Sequence, residues 1–414
     1  KRKNIVLDPV KILYLHQYYN TLDMPGSTRS YELAVRLVEK GHQVYMVTSK
    51  RDFHQGRRAN WTKENGINVC WIPVSYSNNM GFIRRIASFL IFSIKSIIVS
   101  LSLRVDLVFA TSTPLTIAIP GIVYTKIKQI PMVFEVRDLW PEIPIALGAI
   151  KSKLWINLAR WLEKIAYQNA KSIIALSKGM QQGIVRTGYP KSKTNIITNL
   201  SNTEKFGSKM VKKDLNITGY DWQNHNPLVI YTGSFGHVND VQYLIKIAGE
   251  MKSINRSVNF IIAGEGVHAE TIKRLATDKD VLNKSVFIIE PIDKRQIPHL
   301  YARASVVTSL FINQKELWHN SANKFFDGLA AEKPIMINYS GWQRDILEKH
   351  NAGFYVPYDD SVKGAEKLNQ LLINPDLQRK MGHAAKRLAE EHFSIRVQFP
   401  KFEQVLISAV NQSS

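Results

Sequence analysis

Short apolar runs alternate with amphipathic stretches, and that alternation recurs in two halves divided by a polar stretch. Together these predict an α/β protein of two Rossmann-like, doubly wound domains facing a central cleft. The length of 414 residues exceeds one ordinary core and agrees with two or three domains. With 45% hydrophobic and 10% aromatic residues, each half can bury a core of its own.

In chain order, Lys11 to Gln17 has the pattern of a buried strand. It leads through Met24-Pro25-Gly26-Ser27-Thr28-Arg29-Ser30 into a helical pattern from Tyr31 to Lys40, which Gly41-His42 ends before a second strand, Val44 to Thr48. In this βαβ unit Gly26 and Ser27 let backbone approach a ligand, and Arg29 offers a cation for an anion. The loop matches neither G-x-G-x-x-G nor the Walker pattern, so a plain strand-to-helix turn is the alternative. Residues 51 to 78 read as a surface loop with one added strand near Val69 to Val74.

Gly81 to Leu103 carries Phe82, Ile83, Ile86, Phe89, Leu90, Ile91, Phe92, Ile94, Ile97, Ile98 and Val99 interrupted by Arg84, Arg85 and Lys95, with Arg104 just beyond. Interior charges argue against a spanning helix. Cations beside so wide an apolar face suit a helix lying in an anionic membrane interface, and a buried helix of the first domain is the alternative. The membrane-associating segment is placed near 81–104.

Asp106 to Ala110 is the next strand, ending in Thr111-Ser112-Thr113-Pro114. A helix over about 115 to 128 leads to the strand Pro131 to Val136, which ends in Arg137-Asp138-Leu139-Trp140-Pro141-Glu142. Ligands of open α/β sheets bind outside the carboxyl ends of strands, so Arg137, Asp138 and Glu142 are candidates for acid/base or hydroxyl-binding work; a salt-bridged turn is the alternative. A helix over 152 to 169, a strand from Ser172 to Leu176, a helix capped by Ser177 and a short strand over Ile196 to Asn199 complete the first half.

The stretch from Ser201 to Asn226 is polar and marks the boundary. The predicted domains are 1–203, 204–393, and a closing helix at 394–414 that packs back on the first domain. The second half starts with the strand Leu228 to Thr232, running into Gly233-Ser234-Phe235-Gly236. A helix follows, then the strand Val258 to Ala263, which enters Gly264-Glu265-Gly266. Further pairs end at His319-Asn320-Ser321-Ala322-Asn323-Lys324-Phe325-Phe326-Asp327, a polar loop that becomes two helical turns. Unpaired N–H groups at that helix start, with Ser321, Asn323 and Lys324 around them, favour a bound phosphate, and Asp327 one turn on can accept two ribose hydroxyl protons. An ordinary capped helix is the alternative.

A formal charge of +21 implies an anionic partner, whether nucleic acid, an acidic membrane or a phosphorylated substrate. No base-reading motif is recognisable, so no nucleic-acid partner is expected. The single cysteine, Cys70, excludes an internal disulfide and a cysteine metal cluster and fits a reducing compartment. Lys1-Arg2-Lys3 precedes a short apolar segment that contains Asp8 and lacks a cleavage-like site, which predicts a cytoplasmic protein.

With these residues assembled, the chain resembles the family-4, GT-B-fold glycosyltransferases, nearest to bacterial O-antigen and capsule enzymes of the N-acetyl-L-fucosamine transferase type. The resemblance rests on Tyr14-Leu15-His16-Gln17-Tyr18 with Pro25 to Leu33, on Phe134 to Glu142, on Tyr231 to Gly236, on Gly264-Glu265-Gly266 and on Asn323 to Asp327. It implies retaining transfer from a nucleoside-diphosphate sugar, usually UDP-linked, with no cofactor and no essential metal, to a polyprenyl-diphosphate-linked saccharide at the inner face of the cell membrane. It also implies roles: Gly233 and Ser234 at the pyrophosphate, Ile292 offering backbone to the base, Asp327 on ribose and Lys324 as phosphate cation. Gly26 and Ser27 would close over the diphosphate, while Asp138 and Glu142 position the acceptor or reacting sugar. Three departures stand out. His319 replaces the first acid of the family's E-x₇-E motif, with Glu316 nearby as a substitute; the usual Arg and Lys after the donor-domain glycine are missing, which shifts the diphosphate load to Lys324, Lys315 or Arg29; and Glu332 stands where the family usually has Gly. A non-catalytic nucleotide-sugar scaffold and a GT-B epimerase or phosphorylase are the other classes that fit.

Overall fold

The computed structural model describes residues 9–50, 59–75, 80–206, 215, 217–223 and 225–412, with the side chain of Phe82 outside that set. The basic N-terminal residues and parts of the expected loop 51–78 and linker 201–226 also lie outside the described residues. The chain divides into two compact units, one of residues 1–21, 27–198 and 399–414, the other of 22–26 and 199–398.

In the first unit the elements run β1 (Lys11–Leu15), α1 (Arg29–Glu39), β2 (Gln43–Lys50), β3 (Asn60–Glu64), β4 (Ile67–Pro73), α2 (Phe82–Leu101) and β5 (Leu107–Thr111). They continue with α3 (Ala118–Lys128), β6 (Met132–Val136), α4 (Glu142–Ala146), α5 (Lys153–Gln168), β7 (Ser172–Ala175), α6 (Lys178–Arg186) and β8 (Thr194–Ile196). The sheet order is β3-β4-β2-β1-β5-β6-β7-β8, parallel except for β3 against β4. β5 and β6 are wholly buried, and apart from Thr111 and Glu135 their side chains are apolar, as suits strands covered by helices on both sides.

Two expectations need correcting. The 51–78 region holds two strands, not one: Asn65 (φ +47°) and Gly66 (φ +85°) turn β3 back on β4, since both central residues of such a two-residue hairpin need positive φ. The strand expected at 196–199 lies two residues earlier, because Thr194 to Ile196 pair with Ile173 to Ala175 and Thr198 instead turns its carbonyl to an arginine.

In the second unit the order of elements is β9 (Leu228–Thr232), α7 (Val241–Ile254), β10 (Asn259–Ala263), α8 (Ala269–Asp278), β11 (Val286–Ile289), α9 (Ile297–Arg303) and β12 (Val306–Ser309). Then come α10 (Asn323–Ala330), β13 (Ile335–Ile337), α11 (Trp342–His350), β14 (Gly353–Tyr355), α12 (Ser361–Leu372), α13 (Pro375–Leu388) and α14 (Ile395–Asn411). The all-parallel sheet runs β11-β10-β9-β12-β13-β14, the doubly wound order. In 338–375, to which the sequence reading assigns no element, α11, β14 and α12 extend the same sheet by an edge strand beside β13. From Phe399 on, α14 belongs to the first unit, where Phe402 packs edge-on against Phe109 of β5 at 5.0 Å.

Glu332 occupies a left-handed turn (φ +61°), which explains why glycine suits that position. Its carboxylate is held by Lys386 Nζ at 3.2 Å and His383 Nε2 at 3.3 Å.

Candidate active site

The second sheet reverses its order between β9 and β12, so the turns after these strands flank the switch point where α/β sheets receive ligands. Gly233 leaves β9 with φ +147°, a conformation that side chains with a Cβ rarely adopt, and donates its N–H to Ala263 O at 2.9 Å. A Cβ on Gly264 would stand 1.9 Å from the Gly233 carbonyl oxygen, so the turns after β9 and β10 meet backbone to backbone. Ser234 is exposed; its Oγ accepts from Asn239 Nδ2 at 2.9 Å and its carbonyl accepts from Tyr231 Oη at 2.9 Å.

Into this turn reaches Lys324 from the first turn of α10. Its Nζ donates to Tyr231 Oη and Asn239 Oδ1, both at 3.2 Å, and lies 4.6 Å from the centroid of the Tyr231 ring. Among the described residues no carboxylate pairs with it. Burial therefore has nothing to offset it and pushes the amine down from 10.5 to about 8. Asp327, one turn later, is buried and ion-paired with Lys294, which sits in the loop after β11. Lys294 also lies 5.6 Å over the Phe206 ring, and Thr232 Oγ1 meets Tyr301 Oη at 2.7 Å. The structure thus gathers Gly233, Ser234, Lys324 and Asp327 at one end of the sheet and adds Lys294 and Asn239.

Ile292 lies partly exposed in the same loop as Lys294. Asn323 opens α10, whose N-cap position is Ala322. Ser321 is turned to Asn199, which donates Nδ2–H to the Ser321 carbonyl. His319 ends a short 3₁₀ turn, Lys315–His319, and Glu316 in that turn accepts from Gln314 Nε2. Glu316, Lys315, Trp318, Asn338, Tyr355 and Tyr358 line a cavity of about 400 Å³ that includes none of Lys324, Gly233 and Asp327. Glu316 and Lys315 thus line space apart from that of the Lys324 cluster.

In the first unit the order reverses between β1 and β5. Beside this point Arg137 donates Nη2–H to Ser27 Oγ at 2.9 Å, has Nη1 3.3 Å from His16 Nε2, and donates its backbone N–H to Ser112 Oγ at 3.0 Å. Asp138 accepts from Thr113 Oγ1 at 2.9 Å. Gly26 has φ +115°. Glu142 starts the short helix α4, and its buried Oε2 has no hydrogen-bond partner among the described residues. Burial first, then the charge of Glu142, pushes the Glu163 carboxyl up to about 8, so Glu163 carries its proton at neutral pH.

Arg29 is corrected. Its guanidinium is buried, paired with Glu135 at 2.7 Å, and donates to the carbonyls of Ile197 and Thr198, so it holds the sheet together and has no charge left for a diphosphate. Burial alone would raise the Glu135 carboxyl. Arg29, Arg137 and a hydrogen bond from Thr111 outweigh that and keep its pKa below the usual value.

Lys324 gives the site a pH dependence. The folded amine releases its proton near pH 8 and the unfolded one near 10.5, so the unfolded state holds more protons between these values and stability rises with pH across that window. A bound diphosphate favours the ammonium, so affinity for UDP is expected to be flat below pH 8 and to fall by about tenfold per unit above it. Isothermal titration from pH 6.5 to 9.5 checks this; affinity unchanged to pH 9.5 would mean that Lys324 does not meet the ligand.

Two family descriptions cover most of the chain: the glycosyl transferase 4-like domain matches residues 26–199, and glycosyl transferases group 1 matches residues 213–388. Among curated proteins, alpha-D-kanosaminyltransferase of Streptomyces kanamyceticus is 20% identical over 239 residues, 58% of this chain and 60% of that protein. The chain spans 40% to 60% of the length of the curated relatives it matches. Among solved structures, sucrose-phosphate synthase of Thermosynechococcus elongatus superposes with a TM-score of 0.71 at 15% identity, covering 98% of this chain and all of that one. HepE of Anabaena, solved in complex with UDP and glucose, gives 0.67 at 15% identity over 96% of this chain and all of that one. Matched in both halves by glycosyltransferase domains and alike in fold from end to end, the chain belongs to the glycosyltransferases of the GT-B fold.

Proposed function

We propose that the protein transfers a sugar, with retention, from a UDP-sugar to a lipid-linked saccharide in the assembly of a cell-surface polysaccharide such as O-antigen or capsule, with N-acetyl-L-fucosamine as the sugar. The observation that carries the donor half is Lys324, a half-buried lysine whose amine is desolvated beside the Gly233 turn and pairs with no carboxylate among the described residues. A buried cation costs free energy until an anion meets it, and a nucleoside diphosphate is the anion that a Gly turn and a helix start accept. HepE binds UDP, glucose and UDP-glucose on the same fold, which supports this donor class.

In the transfer, the bond from the anomeric carbon to the diphosphate oxygen breaks and a bond to the acceptor oxygen forms on the same face. Charge developing on the leaving phosphate is met by the Lys324 ammonium and the N-terminus of α10, in a reading that calls for no metal. Asp327 and Lys294 meet the ribose and phosphate oxygens, with the backbone of Ile292 on the base. Arg137, Asp138 and Glu142 position the acceptor, whose lipid anchor and the cations around α2 bring the enzyme to an anionic membrane. Among the described residues no helix is long and apolar enough to cross one.

A thermal-shift screen of UDP-, GDP- and dTDP-sugars tests the donor. UDP at one hundred times its dissociation constant is expected to add about 2.7 kcal/mol of stability. A larger shift with GDP or dTDP than with UDP would overturn the choice of nucleotide.

A further inference from the structure

The first unit leaves large apolar side chains in the open on two helices. On α2, Ile83, Leu90, Ile94 and Ile98 are exposed at helical spacing, Ile98 by 67%. The opposite side of α2 buries Phe89, Phe92, Ser93 and Ser96, so the exposed stripe is a second face that the core does not need. On α5, Leu154 (73%), Leu158 (46%) and Trp161 (58%) repeat the pattern at i, i+4 and i+7, with Trp155 beside them. The helix α3 packs against both, and near its end the apolar Ile127 is also exposed. Isolated exposed apolar residues are ordinary; stripes on neighbouring helices mark an interaction surface.

Charge selects the partner. Around these stripes stand Arg84 on α2, Lys126 and Lys128 on α3, and Lys153, Arg160 and Lys164 on α5, all exposed. Neither α2 nor α3 contains an acidic residue, and the one acid of α5, Glu163, is buried. Two copies of such a face would set like charges against each other. A lipid surface with anionic head groups pairs with the cations and takes the apolar side chains into its acyl boundary, where tryptophan is most at home.

We propose that α5, with Leu154, Trp155, Leu158 and Trp161, is a second membrane-docking element, acting together with α2 on an anionic bilayer. This rests on the membrane reading of α2 given above and adds a separate point of attachment to it. With two helices in the interface, the unit is fixed against rocking about either one, and its sheet edge keeps a constant height above the lipid.

Sedimentation with vesicles of phosphatidylcholine containing anionic phosphatidylglycerol tests this on the full chain. Trp155→Gln/Trp161→Gln and Leu154→Gln/Leu158→Gln are expected to lower vesicle affinity by about tenfold or more each, with far-UV circular dichroism unchanged because the side chains are exposed. An Ile91→Gln/Ile94→Gln/Ile98→Gln variant reports on α2 separately. If the α2 variant loses binding and both α5 variants keep it, the α5 proposal fails while the membrane reading stands. If the wild-type chain does not sediment with anionic vesicles, both fail. If the α5 variants instead turn a dimer into a monomer by light scattering with vesicle affinity unchanged, the face belongs to a second copy and the proposal is overturned.

Discussion

Replacing Lys324 by methionine is expected to lower kcat for sugar transfer by about 100-fold to 1,000-fold, the cost of removing one group aimed at charge that develops in the transition state. Methionine keeps an apolar stem as far as Cε and drops only the terminal amine, so packing of the stem against Gly233 survives. The substitution also removes a desolvated ammonium that two neutral hydrogen-bond partners and a tyrosine ring face, but with which no carboxylate among the described residues pairs. The melting temperature without ligand is therefore expected to stay level or rise, while the shift produced by UDP shrinks. A variant as active as wild type would remove Lys324 from the site. A variant that is inactive because it is unfolded would show instead that the amine is structural, which its lack of an ionic partner argues against.

The second large effect is on stability. Glu135→Gln strips the charge that neutralises Arg29 inside the first sheet, where both side chains are essentially shut off from solvent. Removing one member of a buried pair leaves the other uncompensated, and the expected loss is about 3–5 kcal/mol. Replacing both, as Arg29→Met/Glu135→Leu, is expected to cost much less, because no buried charge is then left alone. Urea denaturation followed by circular dichroism reads the difference as a lower midpoint at similar slope. Equal midpoints for wild type and Glu135→Gln would mean that Arg29 finds another partner.

Much of the architecture was legible because its inner strands are buried on both faces and so read as continuous apolar runs: Leu228 to Thr232 lies where the pattern puts it, and the run Val258 to Ala263 holds the strand Asn259 to Ala263. The hairpin at Asn65-Gly66 carried a plain signal, the Asn-Gly pair between two short runs, that was passed over because β3 is half polar at the sheet edge. At the candidate site, Lys324 and Asp327 stand out in sequence since they open a helix. Lys294 carries no such mark. Nothing local distinguishes it from the other lysines, and only the folding of the loop after β11 brings it to Asp327. Arg29 shows the opposite failure: a cation in a Gly-Ser loop invites an anion, yet its partner is Glu135, 106 positions away, and only the pairing of β1 with β5 and of β5 with β6 brings that carboxylate within reach.

The contact between the Gly233 carbonyl and Gly264 bears on how donors are told apart. With no side chain able to fit between them, the turns after β9 and β10 form one rigid seat that widens only by parting two paired strands. If a nucleoside diphosphate sits there as proposed, a seat of that kind treats every such diphosphate alike. On the proposed donor reading, selectivity then falls to the loop after β11, 290–296, which brings Lys294 to Asp327, and a change of donor in the laboratory is best sought there, with the seat left untouched.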